Sequence, residues 1–586
     1  RTVLRRAPDL DATPPGANHL GFAVAVLWLV HPLQSEVIGY VTQRTESLMG
    51  LFYLLTLYAS IRALPVLQAN ASTSEEPLGQ NGPWTGVAIA ACALGMLTKE
   101  SMVTAPVMIV LYDLALSGLS ARELWTRRRM LYLGLAATWL LLLAANVSGP
   151  RFRSAGFAAG VSPWTYLLHQ GPMIATYLKL ALWPHPLVLD YGLTTPITFG
   201  DALPGLLLVT VLLGGVAWAA LTSRRLVAFL GAWFFIILAP TSSIVPIATE
   251  VGAERRMYLP LAAVLVALVL AARAVVRRWS PDGVLSRSTA ALVATVATAL
   301  VLALVTSARM HAYTDPIGLW QQTIAAHPQG RARYNLGIHL AEAGRTAEAI
   351  EAYRAAVTDA PEAHYPLGFE LSRAGQDAAA VSEFQQFLQA RPDDAQAPKA
   401  SFLLGQSLAR LGRTSEAEQA YRETLRMRPA DPDAQLALAD LYLGSQRFSD
   451  AIALYRDYLQ RRPDTAAAHH NLGLALLGLQ KEDEALPEFE RAVGLNPRDA
   501  NLQLSLGQAL SSAGRLDDAV DHLREANTLA PNNPRIMSTL AVVLAAGGEV
   551  NDPLDLFQRA RQLAPNDPVV QDNYNLAVSR WRGNHQ

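Results

Sequence analysis

Apolar runs dominate the first half of the chain and give way near residue 308 to a mixed, frequently charged second half. In the first half the runs at 18–38, 46–62, 85–97, 101–113, 130–147, 203–221, 227–240, 257–275 and 289–308 read as nine membrane spans. Several fall short of the roughly 20 residues that one span needs at about 1.5 Å rise per residue. Broken or tilted helices around a cavity are one explanation. The stretch Trp84 to Leu114 shows the reasoning. It is apolar throughout except for Thr98-Lys99-Glu100 near its middle. Two charges at mid-membrane in one helix are costly. The pattern therefore predicts two short helices meeting at a turn, with Lys99 and Glu100 at a membrane face or in a watery cavity inside it.

The arginines test this arrangement through the positive-inside rule. With the split at Lys99, Arg1, Arg5, Arg6, Arg62, Arg122 and the Arg127–Arg129 cluster all fall on the cytoplasmic side. Arg224, Arg225, Arg273, Arg277, Arg278 and Arg287 join them, which leaves 148–202 and everything after the last span outside. The picture requires the apolar segment 165–183, which contains Pro172 and Lys179, to be re-entrant or surface-lying. Arg127–Arg129 and Arg277–Arg278 read as topology anchors.

The second half has a different period. A proline marker recurs at Pro328, Pro361, Pro392, Pro429, Pro463, Pro497, Pro531 and Pro565, and the last four intervals are each 34 residues. That spacing is the helix-turn-helix period of tetratricopeptide repeats. Leu-Gly pairs at Leu336-Gly337, Leu367-Gly368, Leu404-Gly405, Leu472-Gly473 and Leu506-Gly507 bring the two helices close. Gly344, Gly375, Gly412 and Gly514 mark the turns, and aromatics at Tyr353, Phe384, Tyr421, Tyr455 and Phe489 fill the space behind them. Seven to eight repeats are expected, the last atypical because Asn551-Asp552-Pro553 replaces the usual turn. Stacked repeats form a superhelix whose concave groove takes extended peptides or protein surfaces.

The domain plan is therefore a polar segment at 1–17, a membrane domain at 18–310, a linker at 311–330, repeats at 331–580 and a tail at 581–586. Composition adds little: 586 residues carry a net charge of −1. The lone cysteine, Cys92, excludes an internal disulfide framework. The chain opens on Arg1 with no initiator Met and no signal peptide, so it is expected to start partway through a longer protein.

Polar islands on the predicted outer side carry the candidate chemistry. They are His31 to Glu36 with Gln43 to Glu46; Lys99-Glu100; Arg151 and Arg153 with His169 and Gln170; His185 to Tyr191; and Thr241 through Glu250 to Tyr258. Ionisable groups at membrane depth face a cavity or each other. Arginine forks and a lysine point charge suit an anionic headgroup; carboxylates could bind a divalent cation or deprotonate a hydroxyl. Plainer readings stand beside each. His31 before Pro32 suits a helix end, Glu36 and Arg44 an interfacial ion pair, and Lys99 and Glu100 a pair with each other. His185 and Asp190 suit a turn, Glu254 and Arg255 flanking charge. No metal-ligand spacing is present.

Four of these blocks, in order and followed by the repeats, resemble the transmembrane-and-tetratricopeptide-repeat protein O-mannosyltransferases and their bacterial relatives. The blocks are His31-Pro32-Leu33-Gln34-Ser35-Glu36 with Val41-Thr42-Gln43-Arg44; Thr98-Lys99-Glu100 through Tyr112-Asp113-Leu114; Tyr177-Leu178 through Trp183-Pro184-His185-Pro186 and Asp190-Tyr191; and Glu254-Arg255 through Tyr258-Leu259-Pro260. The resemblance implies an all-α chain: a polytopic GT-C-type helix bundle followed by a tetratricopeptide-repeat solenoid. It implies transfer of a sugar, mannose in the animal members, from a polyprenyl-phosphate carrier to a protein hydroxyl or glycan. With the Ala-, Leu- and Arg-rich composition and the arginine topology, the expected place is a bacterial inner membrane, with the repeats in the periplasm or outside holding an acceptor protein and no nucleic-acid partner. Arg44, Lys99, Arg255, His185 and His31 are then candidates for the donor phosphate, and Gln34, Glu36, Glu100, Asp190 and Glu254 for orienting them or touching sugar. The family's catalytic acidic pair matches no residue here and is expected upstream of Arg1. The rival readings are a non-enzymatic membrane-anchored repeat scaffold and a transporter of lipid-linked sugar.

Overall fold

The computed structural model describes residues 14–39, 44–64, 82–147, 161–193, 195–243, 245–247, 250–279, 287–548 and 551–583. Gln43, Arg151, Arg153 and most of segment 1–17 lie outside these residues, as do the side chains of Arg277, Arg278 and Arg287. The chain is all-α and divides into two compact units, 1–348 and 349–586.

The first unit holds α1 (Pro14–Val30), α2 (Ser35–Gly39), α3 (Arg44–Arg62), α4 (Gly82–Met96), α5 (Ala105–Leu116), α6 (Ala121–Val147), α7 (Pro163–Leu182), α8 (Phe199–Leu221), α9 (Arg225–Leu238), α10 (Pro260–Trp279), α11 (Arg287–Ala312), α12 (Pro316–Ala326) and α13 (Gly330–Glu342). Helices thus occupy all nine predicted span positions. By length and composition, Phe199–Leu221 and Thr289–Ala312 can each cross a membrane alone. Asn18–Val30 and Pro32–Gly39, bent by 54° at a break, make a third if counted as one span. Apolar side chains cover their outer faces: Val211 is 70 %, Leu221 86 % and Leu304 72 % exposed. An apolar belt of this extent needs lipid or protein against it.

The break predicted at Lys99 is present. α4 stops at Met96, and a 3-10 turn over Glu100–Thr104 leads into α5, which carries Pro106 in its first turn. Proline is tolerated there because the first helical N–H has no intrahelical acceptor in any case. Between the helices lies a core built from Met49, Tyr53, Met96, Met102, Met108, Tyr112, Tyr177 and Trp233.

Three segments show details that the sequence leaves open. Segment 165–183, expected to be re-entrant or surface-lying, forms one continuous helix, α7, that buries Tyr166, Gln170, Met173 and Tyr177. It lies so close to α8 that a Cβ on Gly171 would stand 2.7 Å from the Leu206 backbone nitrogen. In the Arg127–Arg129 cluster, read as a topology anchor, Arg128 differs from its exposed neighbours Arg127 and Arg129. It is buried, paired with Asp113, and donates 2.5 Å to the Ser60 carbonyl, while Tyr132 donates 2.7 Å to the other Asp113 oxygen. In the stretch 311–330, expected to be a linker, α12 forms, and the first unit continues to residue 348. The physical reason is a set of contacts to the loop after α7. Arg331 grips both carboxylate oxygens of Asp190, Gln329 donates 2.9 Å to the Tyr191 carbonyl, and His327 stands edge-on to the Tyr191 ring.

α14 (Thr346–Arg354) spans the division between the units. The second unit continues with α15 (His364–Arg373), α16 (Asp377–Ala390), α17 (Ala397–Arg410), α18 (Thr414–Met427), α19 (Pro432–Gly444), α20 (Phe448–Arg461), α21 (Ala466–Gly478), α22 (Glu482–Leu495), α23 (Ala500–Ser512), α24 (Leu516–Leu529), α25 (Pro534–Ala546), α26 (Asn551–Leu563) and α27 (Pro568–Gly583). Among the described residues of this unit six helix pairs follow, from α15 with α16 to α25 with α26, and α27 is a single helix after them. The Leu-Gly glycines do what their spacing predicts: a Cβ on Gly473 would meet Phe489 at 2.8 Å, and one on Gly405 would meet Tyr421 at 2.6 Å. The turn glycines at 344, 375, 412 and 514 all sit at φ between +73° and +76°, and Gln446 and Gln480 take the equivalent place at +59° and +60°.

Candidate functional site

Three of the polar islands meet at one place. The 3-10 turn Glu254–Met257 carries two arginines into the bundle, because α10 can begin only at Pro260 and the turn before it must tuck its polar backbone inward. Arg255 forks between two carboxylates. Its Nη1 donates 2.6 Å to Glu36, and its other terminal nitrogen pairs with Glu250. Glu36 also accepts the Arg255 backbone N–H at 2.9 Å. Arg256 is more deeply held. It donates to the Thr241 carbonyl at 2.7 Å, to Glu250 Oε1 at 3.1 Å and to the Tyr166 hydroxyl at 3.2 Å. Lys99 pairs with Glu46 on α3.

Glu46, Ser101, Thr241, Arg255, Arg256 and Tyr258, with Met49, Ile237, Leu259 and Pro260, line a narrow cleft of about 280 Å³. In the conformation seen, its interior has room for about one water molecule. The indole N–H of Trp28 on the Tyr258 carbonyl (2.7 Å) and of Trp233 on the Leu259 carbonyl (2.9 Å) fix the floor. The pairings differ from the local ones the sequence suggests. Glu36 partners Arg255 and not Arg44; Lys99 partners Glu46 and not Glu100.

Glu254 lies behind the cleft, 1 % exposed. Its Oε1 accepts the Val188 N–H at 2.6 Å and the Tyr191 hydroxyl at 3.3 Å. Burial, reinforced by the Glu36 charge, pushes its carboxyl up to about 8. Glu250 goes the other way, held below the usual carboxylate range by Arg256 and Arg255 against its burial.

The remaining candidates lie elsewhere. His31 is buried and serves the helix end: its Nδ1 accepts the Leu33 N–H and its Nε2 lies 3.2 Å from the Ala181 carbonyl. Gln34 reaches the Tyr258 carbonyl at 3.5 Å. Arg44 is exposed at the start of α3, and His185 is exposed in the turn after α7. Asp190 is committed to Arg331 and to the Gly192 N–H at 2.7 Å. Glu100 begins its 3-10 turn outside the cleft lining. Arg256, Glu250 and Glu46 are cleft or cluster residues that the sequence places only within the polar islands and does not single out. Their signal was position, next to residues already singled out, and nothing in one-dimensional spacing tells which of two adjacent arginines turns inward. Among the described residues no group of three or more His, Cys, Asp or Glu is placed to hold a metal ion.

The comparisons with known proteins divide along the chain. Tetratricopeptide-repeat models match residues 313–364, 365–434, 436–500, 472–534 and 510–572. A curated relative, Protein O-mannosyl-transferase Tmtc2 of Drosophila melanogaster, is 28 % identical over 190 residues. That match covers 31 % of this chain and 18 % of the fly protein. Among solved structures, YrrB, described as a TPR protein with an unusual peptide-binding site, is 19 % identical over 33 % of this chain and 97 % of its own, with a TM-score of 0.29. A thermophilic TPR protein of Thermus thermophilus, TTC0263, is 26 % identical over 31 % of this chain and 99 % of its own, with a TM-score of 0.27. Residues 313–572 are therefore tetratricopeptide repeats, carried by a membrane-associated chain that is similar over part of its length to a protein O-mannosyl-transferase.

Proposed function

We propose that this chain serves the transfer of a sugar from a polyprenyl-phosphate carrier to a hydroxyl on a protein or glycan, at the outer face of a membrane. The observation that supports it most is the convergence of Glu46, Ser101, Arg255 and Arg256, with Lys99 held at Glu46, from three stretches far apart in sequence. In this reading the phosphate is the leaving group. Charge builds on it as the glycosidic bond breaks, so fixed guanidinium groups favour the transition state over the bound ground state. Glu46 and Glu250 now occupy the cations a phosphate would take. Binding exchanges carboxylate for phosphate and opens the cleft. The nine helices at the predicted positions would cross the bilayer, and the repeats would hold the acceptor protein in the periplasm. The partial similarity to a repeat-bearing O-mannosyl-transferase agrees with this reading.

Transfer of labelled sugar by the full-length gene product tests it. Lys99→Ala and Arg255→Lys are expected to lower kcat at least tenfold. Wild-type rates in both variants would overturn the phosphate assignment. The scaffold reading predicts no transfer by the wild-type protein at all.

A further inference from the structure

A second cationic group lies outside the cleft. Arg309 is near the C-terminal end of α11 and 8 % exposed. Its guanidinium rests over the Tyr313 ring, 5.4 Å from the centroid. Its Nε and Nη2 are buried and have no hydrogen-bond partner among the described residues. α11 is anchored there, because Thr306 donates 2.7 Å to the Val30 carbonyl and the helix packs on the Pro32–Gln34 turn and on α2. In the same cluster Gln34 Oε1 and Glu254 Oε2 are also buried without a hydrogen-bond partner among the described residues. Gln34 is 2 % and Glu254 1 % exposed, and Arg309 is the cation whose charge acts on Glu254.

Such a set is unfavourable as it stands. A buried guanidinium without acceptors carries a desolvation cost that only an anion in good geometry offsets. Two parallel N–H donors on one side of a planar fork match an oxyanion in bidentate fashion. The neighbouring orphan atoms narrow the choice. Gln34 Oε1 accepts only, and a carboxylate brings no hydrogen to it. A phosphate monoester in its monoanionic form brings both oxygens for the fork and a P–O–H for the amide oxygen. We propose that Arg309, with Gln34 and Glu254, is a buried seat for a phosphate monoester group, distinct from the Arg255 cleft. The group could come from a membrane lipid or from a soluble phosphate. The seat does not depend on sugar transfer.

The test uses the full chain in phosphatidylcholine nanodiscs, followed by thermal unfolding. One arm titrates inorganic phosphate against chloride at matched ionic strength; the other adds phosphatidic acid to the nanodisc. Stabilisation of the wild type in either arm, beyond the chloride control, is expected and names the source. Arg309→Gln should weaken the apparent affinity at least tenfold, and Arg309→Lys, which keeps the charge and loses the fork, by several-fold. The proposal is overturned by a wild type that responds to neither source beyond chloride, or by an unchanged affinity in either variant. Failure here leaves the sugar-transfer reading standing, since that is read from Lys99 and Arg255.

Discussion

Replacing Arg255 by Ala removes a side chain that joins the buried Glu36 to the half-buried Glu250. Glu36, whose side chain is 5 % exposed, keeps the Arg255 backbone N–H at 2.9 Å and loses the guanidinium at 2.6 Å. Glu250 fares better, because Arg256 still reaches it at 3.1 Å. The loss is therefore concentrated on Glu36. At an effective dielectric of about 20, two unit charges about 4 Å apart interact by about 4 kcal/mol. Breaking a buried pair from one side costs about 3–5 kcal/mol, since the surviving charge stays desolvated. The two figures agree, and we expect about 3–5 kcal/mol of destabilisation in Arg255→Ala. The assay is thermal unfolding of the chain in nanodiscs, read by intrinsic tryptophan fluorescence, with a drop of roughly 5–10 °C. Adding Glu36→Gln removes the stranded charge while keeping an acceptor for the backbone N–H. The double variant should recover more than half of the loss, which a double-mutant cycle reports as coupling. If Arg255→Ala unfolds within about 1 °C of the wild type, or if Glu36→Gln does not restore it, the pair is not the buried clasp described.

Other expectations concern single positions. Glu254 takes up a proton on folding: its carboxyl is raised from 4.5 to about 8. That contribution is full below pH 4.5 and is lost as pH rises through 8, over a range worth on the order of a few kcal/mol. Glu254→Gln should flatten unfolding temperature against pH between 5 and 8, and an unchanged slope would count against the burial argument. Gln480→Gly relieves a left-handed residue at φ +60° and should stabilise the repeats by about 0.5–1 kcal/mol in hydrogen-exchange protection of α21 and α22. Gly473→Ala drives a methyl group to within 2.8 Å of the buried Phe489 ring and should cost about 1–3 kcal/mol in the same measurement.

The sequence by itself determined the repeats and the helix positions. Both are local: a 34-residue period places each proline, glycine and aromatic by chain distance alone, so Gly473 finds Phe489 without reference to anything else. The turn at Lys99 was equally legible, because the cost of a mid-span charge is set by the residues around it. Tertiary structure decided the partners. Glu36 and Arg255 stand 219 residues apart, and Asp190 and Arg331 141 apart. No spacing rule reaches such distances. Which arginine of the pair at 255 and 256 turns inward, and whether Arg128 is a solvated flank or a buried clasp, depends on carboxylates and carbonyls that other helices deliver. A buried charge is stable only where acceptors converge on it, and that convergence exists only once the helices have packed.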